Sequence, residues 1–260
     1  MNPSSTNPRE FVQMKNASAT LGVQSWCFRT YKTNPEVIRE VKACGLNAIE
    51  LCGVHADFGN PAVFGEVIRT YRKAGVKILS IGVQGLRGDA RVEENYFRFA
   101  KQAGARYMSV TFNMSTLPKC LKVADRLAAK YKIKLAIHNH GGYDWLGNMT
   151  ALEYVFQQTS PRIGLCLDTA WAMDAGHDPV KMIETFGRRL YGLHIKDFVF
   201  GPDRKPTDVV AGAGNLDLKA LFAAAKKAGF KGFTVIEYEG DVEDPTPAIT
   251  KCAQRVRKVM

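Results

Sequence analysis

Short apolar runs alternate along this chain with longer segments in which apolar residues return at helical spacing. The run over 19–26, ATLGVQSW, is β-prone, and Asn34-Pro35 then opens a helix that passes Val41 and Cys44 and stops at Gly45. The same alternation predicts strands at 46–53, 76–83, 105–112, 133–140, 163–168, 190–196 and 233–239, and helices at 61–74, 89–103, 117–131, 150–158, 179–186, 216–228 and 247–259. The stretch from 197 to 215 carries neither period and reads as an irregular loop. Eight strand–helix alternations fit a closed (β/α)8 TIM barrel, in which the helices cover a parallel sheet.

Three helix stops share one phrase: Lys42-Ala43-Cys44-Gly45, Arg72-Lys73-Ala74-Gly75 and Lys226-Lys227-Ala228-Gly229. Each puts glycine where a left-handed residue closes a helix, which supports quasi-repeated units. The rival architecture, an open doubly wound sheet, calls for a phosphate-binding glycine loop after a strand. The stretch Gly82 to Gly88 is glycine-rich but lacks the GxGxxG or Walker spacing.

Length and composition narrow the picture to one domain. The chain has 260 residues, 46% of them hydrophobic, enough for a single large core, and no window approaches the ~20 apolar residues of a membrane span. Residues 1–18 are rich in Ser, Asn and Pro without the apolar segment of a secretory signal, and read as a flexible leader before a barrel over 19–260. The six cysteines form no CxxC pair, which suits reduced thiols and a cytoplasmic location. In that setting the sequons at Asn16 and Asn148 carry no information. The net charge of +11 is spread along the chain without a basic block, so neither a nucleic acid nor a membrane is the expected partner, and the oligomeric state stays open.

Candidate chemistry gathers at the strand ends of the second half. His138 and His140 close the fifth strand, Asp168 the sixth, His194 the seventh, and Glu237 lies in the eighth. Side chains two apart on a strand share a face, so His138 pairs with His140, Cys166 with Asp168, and His194 with Lys196. A set of imidazoles and carboxylates aimed into one bowl suits one divalent ion of the Mn, Zn, Co or Fe kind better than Mg. Any one of these residues alone is commonly a satisfied hydrogen-bonding group, but burying the whole set together is costly unless a metal compensates. Lys196 is read as a proton-transfer or substrate group, with an ion pair to Asp197 as the plain alternative. Glu50 at the end of the second strand and His55 beyond it are placed at the far side of the bowl. Glu50 is read as a substrate contact or a structural ion pair, and His55 more plainly as a loop residue. Trp26, Phe28 and Trp145 are candidates to line the pocket, and Arg87, Arg204 and Lys205 to meet a phosphate, with core packing and surface charge as their commoner fates.

The phrases IKLAIHNHGG, RIGLCLDTAWAMDAGHDP, RRLYGLHIKDF, AGAGNLDLKALFAAAKKAGFKGF and TVIEYEGD resemble the sugar phosphate isomerase/epimerase superfamily, the xylose-isomerase-like TIM barrels. The resemblance runs from about Ala19 to the C-terminus and is strongest after residue 130. It implies a divalent metal held from strands five to eight, with Asp168, His194 and Glu237 on the last three ligand positions and His138 where many relatives carry Glu. Trp171 stands where relatives often carry a His three residues after the ligand Asp, and is read as an apolar wall for the sugar. The implied function is a metal-dependent sugar or keto-sugar isomerase or epimerase that abstracts a proton beside a metal-bound carbonyl, through an enediolate. Glu237, Lys196 and His140 are the candidate catalytic groups; Glu50, Trp171, Trp26 and His55 are the candidate substrate contacts. The His138 and Trp171 departures keep a dehydratase, hydratase or lyase acting on a keto-sugar or keto-inositol as the alternative. Behind these stand an abasic-site endonuclease, whose extra His and Glu ligands five histidines supply poorly, and a non-catalytic sugar-binding barrel.

Overall fold

The computed structural model describes residues 20–260, so the leader expected over 1–18 lies outside the described residues. Strands β1 (Leu21–Gln24), β2 (Ala48–Leu51), β3 (Lys77–Leu86), β4 (Tyr107–Phe112), β5 (Lys134–His138), β6 (Ile163–Asp168), β7 (Leu190–Ile195) and β10 (Phe233–Ile236) pair in parallel and close into a barrel in which β1 meets both β2 and β10. The chain is a (β/α)8 barrel, as the alternation predicts. Between the strands run α1 (Asn34–Ala43), α2 (Pro61–Lys73), α3 (Ala90–Ala103), α4 (Lys119–Tyr131), α5 (Met149–Gln157), α6 (Thr169–Asp174), α7 (Pro179–Phe186) and α8 (Leu218–Lys227), and α9 (Thr246–Arg257) closes the fold.

The repeated helix stops behave alike: Gly45, Gly75 and Gly229 each take φ of +70° one residue past the helix cap, a backbone that costs a side-chain-bearing residue about 1 kcal/mol or more. At the first helix, Thr33 and Glu36 form a reciprocal capping box, so the cap lies one residue before the Asn-Pro signal at which the helix starts.

Two features depart from the pattern. The segment read as an irregular loop after β7 contains an antiparallel ribbon, β8 (Asp197–Phe200) with β9 (Pro206–Val209), joined in register from Asp197↔Val209 to Phe200↔Pro206. Each strand is only four residues long, DFVF and PTDV, and neither carries enough apolar alternation to announce itself. The short helix α6 also lacks a sequence signal of its own, because its cap is Asp168, the last residue of β6.

The main core lies between the barrel wall and the helices and includes Phe28, Phe64, Tyr71, Phe97 and Phe99. A second, small cluster fills the barrel interior: Cys166, Tyr191, Phe233 and Val235, with Tyr107 packed against them. Tyr107 and Phe233 have ring centroids 5.5 Å apart, and the Phe233 ring meets His194 edge-on at 6.2 Å. These rings are the floor on which the polar residues at the C-terminal strand ends rest. All six cysteines are free and buried. No helix among the described residues is long and apolar enough to cross a membrane.

Candidate metal centre and bowl

Barrel register sets which side chains meet. Asp168 on β6 pairs with His194 on β7, and His194 pairs with Val235 on β10, two residues before Glu237. These positions, with His138 at the end of β5, point inward and converge. One donor atom from each of His138, Asp168, His194 and Glu237 lies within 4.8 Å of the others, and all four residues are buried.

Two of those donors have no protein partner. His138 Nε2 and Asp168 Oδ2 are buried atoms without a hydrogen bond, 3.5 Å from each other. Unsatisfied buried polar atoms are rare and costly, and two of them facing one another mark a place for a ligand. The other oxygen of Asp168 accepts from Trp171 N at 2.9 Å and caps α6, which fixes the carboxylate while leaving Oδ2 turned inward. Asn139 locks the neighbouring strand end by accepting from Asp168 N (2.9 Å) and donating to Asp168 O (3.0 Å). Alternation along His138-Asn139-His140 therefore has a use: the imidazole of His138 turns in and the amide stitches β5 to β6. Two nitrogens and two carboxylates fit a borderline divalent ion.

His194 is held from both sides. Its Nδ1 lies 2.5 Å from Glu237 Oε2 and its Nε2 lies 2.5 Å from Glu50 Oε2. Glu50 is fully buried and also accepts from Gln24 Nε2 (2.8 Å), Ser80 Oγ (2.7 Å) and Ser109 Oγ (2.5 Å). The register aligns Gln24, Glu50 and Ser80 across β1, β2 and β3, with a shift between Ile49 and Glu50. Glu50 is thus not the substrate contact expected from its strand-end position: it sits beneath the bowl and orients His194. Burial works to raise its carboxyl, but the charge and hydrogen bond of His194, then Ser109 and Ser80, outweigh burial and hold it below the ordinary range. Gly82, in the stretch discounted as a phosphate loop, belongs to the same network. A Cβ there would lie 2.5 Å from Ser109 Cβ and 3.1 Å from Glu50 Oε1, so only glycine lets β3 pass.

Burial likewise works to raise the Glu237 carboxyl, and the charges of His194 and Lys196 reverse the effect and leave it well below its usual value. Lys196 turns inward with His194, as alternation predicts, but its ammonium is 1% exposed and bound to Glu239, with Asp208 Oδ2 at 3.6 Å. Burial would lower this lysine, yet Glu237, Asp168, Glu239 and Asp208 together raise it above the ordinary lysine range. Held this way the group is an ammonium, which can donate a proton or a hydrogen bond but not take a proton, so the catalytic reading of Lys196 narrows to the acid or substrate-contact role. The Asp197 pairing is also corrected: the Asp197 carboxylate accepts instead from the backbone N–H groups of Gly212 (2.8 Å), Gly214 (2.9 Å) and Leu216 (2.9 Å).

Above the cluster opens a bowl of about 570 Å³ lined by Trp26, His138, His140, Trp171, Glu237 and Glu239, among others. His140 lies at its mouth, exposed and stacked on Trp171 with ring centroids 4.0 Å apart. β5 ends at His138, so strict alternation stops there, and the two imidazoles stand 6.3 Å apart rather than side by side. Trp26 reaches across to donate from Nε1 to Glu239 Oε2 at 2.9 Å. His55 does not face the bowl: its Nε2 lies 3.2 Å from Phe28 O and 3.3 Å from Tyr31 O, pinning the loop after β1. Phe28 is core, and Trp145 donates to Phe112 O at 3.0 Å outside the bowl. Glu239 and Asp208 escaped the sequence reading. The first lies inside the phrase TVIEYEGD, two residues after Glu237, a spacing that could have marked it, and the second sits on the ribbon that carried no periodic signal.

Comparison with known proteins agrees with this geometry. The family model described as "Xylose isomerase-like TIM barrel" matches residues 38–258. Among curated proteins, the chain is 25% identical over 198 residues to 3-oxo-isoapionate decarboxylase of Pectobacterium atrosepticum, spanning 71% of this chain and 70% of that protein. It is 24% identical over 149 residues to inosose dehydratase of Geobacillus thermodenitrificans, spanning 51% of this chain and half of that protein. Among solved structures, the IOLI protein with a bound zinc atom superposes with a TM-score of 0.74 at 16% identity, covering 93% of this chain and 99% of that one. With the barrel closed, the strand-end cluster assembled and the family model spanning nearly all of it, the chain belongs to the xylose isomerase-like TIM barrel family.

Proposed function

We propose that the protein is a divalent-metal-dependent isomerase or epimerase of a keto-sugar or related keto-polyol, working by proton abstraction beside the substrate carbonyl. The observation that carries this reading is the pair of buried, unpartnered donors, His138 Nε2 and Asp168 Oδ2, facing Glu237 at the base of a bowl. A divalent ion held by His138, Asp168, His194 and Glu237 would polarise a substrate carbonyl and offset the negative charge that grows on its oxygen.

The chain's own residues supply the rest. Glu237 lines the bowl and is the carboxylate of the four that is free of helix capping, which makes it the group to take the proton. With the ion bound, His194 would give it Nδ1, the nitrogen that faces Glu237, while Glu50 fixes the imidazole through Nε2, a carboxylate–histidine arrangement that sets the tautomer. The aromatic floor of Tyr107, Tyr191 and Phe233 keeps water from entering beneath. Trp26 and Trp171 line the bowl with apolar surface beside these groups.

A second reading is favoured by His140. With His138 in place of a second glutamate, the bowl pairs one carboxylate with an imidazole at its mouth, a base and an acid suited to removing a proton and a β-hydroxyl in turn. That outcome is a dehydration, and the similarity to inosose dehydratase supports it.

The deciding experiment incubates Mn- or Zn-loaded protein with keto-sugars and keto-inositols in D₂O and follows them by NMR. Deuterium next to the carbonyl is expected, in recovered substrate and isomer for the first reading, in an unsaturated product for the second. Metal retained with no exchange into any candidate would leave a non-catalytic sugar-binding barrel and end the proposal.

A further inference from the structure

The bowl does not share the basic character of the chain. The protein carries a net +11, yet the bowl lining includes Asp144, Glu237 and Glu239 and, among the described residues, no lysine or arginine. The lysine nearest to serving it, Lys196, is cancelled twice over. Its ammonium is bound to Glu239, lies 3.6 Å from Asp208, and is roofed by the rings of Trp171 and Phe198 at 5.1 and 5.6 Å. One buried cation bound to Glu239 and facing Asp208 leaves that wall without a free positive charge. Glu239 is fixed in this position by three contacts: Lys196 on one oxygen, Trp26 Nε1 on the other, and its own N–H donating to Asp208 Oδ2 at 3.1 Å.

Backbone amides give no substitute. In barrels of this kind phosphate commonly settles on the loops after the last two strands and on the N-terminus of a short extra helix. Here the N–H groups of Gly212, Gly214 and Leu216, in the loop after β7, already point at the Asp197 carboxylate. The N-terminus of α6 is likewise taken by Asp168, through Trp171 N. Arg87 borders a separate depression that shares Thr111 and Asp144 with the bowl. Lys205 pairs with Asp203 on the exposed ribbon turn.

We infer that the bowl selects an uncharged polyhydroxylated ketone over its phosphorylated counterpart, with Glu239 as the specificity-determining residue. This rests on the proposed function of the same site and names its substrate class. A phosphate monoester brings about two negative charges to a lining that holds no lysine or arginine, with Arg29 outside it over the Trp26 ring at 5.2 Å. A neutral sugar, by contrast, finds carboxylate lone pairs for its hydroxyls beside the indoles of Trp26 and Trp171.

The test uses matched pairs on the metal-loaded protein: D-fructose with D-fructose 6-phosphate, D-xylulose with D-xylulose 5-phosphate, and 2-keto-myo-inositol as a further neutral probe. Saturation is read from the fluorescence of Trp26 and Trp171, and deuterium exchange from the same samples. The neutral member of a pair is expected to half-saturate at a concentration at least about tenfold lower, and Glu239→Gln to narrow that gap by strengthening the phosphorylated member. Equal or tighter binding of the phosphorylated member overturns the inference, and loss of such binding in Arg87→Ala would assign it to Arg87. An unchanged gap in a folded Glu239→Gln protein removes the role given to Glu239. Exchange confined to the phosphorylated ketones overturns the selectivity and keeps the proposed chemistry. Neutral binding without exchange does the reverse, and no binding of any probe overturns both.

Discussion

The two halves of the barrel rim are built from the same kinds of residue and do opposite things. On β1 to β4, Gln24, Glu50, Ser80 and Ser109 point inward and close on one another, so that Glu50 accepts four hydrogen bonds and nothing is left over. On β5, β6, β7 and β10, His138, Asp168, His194 and Glu237 also point inward, but two of their buried donor atoms find no partner. A satisfied polar network is a scaffold, and an unsatisfied one is a site. The two halves meet in His194, whose opposite nitrogens touch Glu50 and Glu237. The scaffold half thereby aims the reactive half.

That division is open to direct attack, beginning where the effect should be greatest. Glu237→Gln should lower the deuterium exchange rate by about 10²–10⁴-fold while the circular dichroism of the barrel is kept; near-normal exchange would sink the role of Glu237 as base. His138→Ala should bring bound metal, counted by elemental analysis, well below one ion per chain. Unchanged stoichiometry would pass its ligand role to His140 or to water. Glu50→Gln tests whether the scaffold half acts through His194: metal affinity in a chelator competition should fall by about 10–100-fold with the ligands themselves intact. If affinity is unaltered, the two halves are uncoupled.

Smaller effects probe the groups around the site. Burial pushes the Asp208 carboxyl up to about 7, against the pull of Lys196, and its Oδ1 has no partner. The folded protein then holds a proton that the unfolded chain, with an ordinary aspartate near 3.8, has released. Stability from this group is therefore fullest below about pH 4 and is lost as pH rises through about 7. In thermal melts from pH 4.5 to 8, Asp208→Asn should flatten that decline relative to the native chain, and parallel curves would show that Asp208 does not titrate across this range. Ser109→Ala removes one hydrogen bond to a buried carboxylate and should cost about 2 kcal/mol in denaturant unfolding, with metal affinity changed less than by Glu50→Gln.

Much of this was legible in the chain. Alternating runs are a local signal, and local spacing is enough to predict eight strand–helix units, the glycine stops at 45, 75 and 229, and ligand-type side chains at four strand ends. The partners of those side chains are another matter. Glu50 and His194 are 144 residues apart, and Lys196 and Glu239 are 43 apart. Glu50 read equally as a substrate contact or a structural ion pair, and spacing could not choose; its burial against His194 depends on a register shift at Ile49 and Glu50 and on three donors from other strands. Lys196 read as reactive because it shares a face with His194, and it became a fixed cation because the unannounced ribbon delivered Asp208.

The sequence by itself determined which elements form, which faces point inward and which residue types reach the rim, since period and capping act over a few residues. Tertiary structure alone decided which of those inward groups are satisfied by neighbours and which are left to hold something else. Barrel closure between β1 and β10 and the folding of the ribbon after β7 bring distant segments into contact. Hydrogen-bond partners and local charge depend on that contact rather than on spacing along the chain.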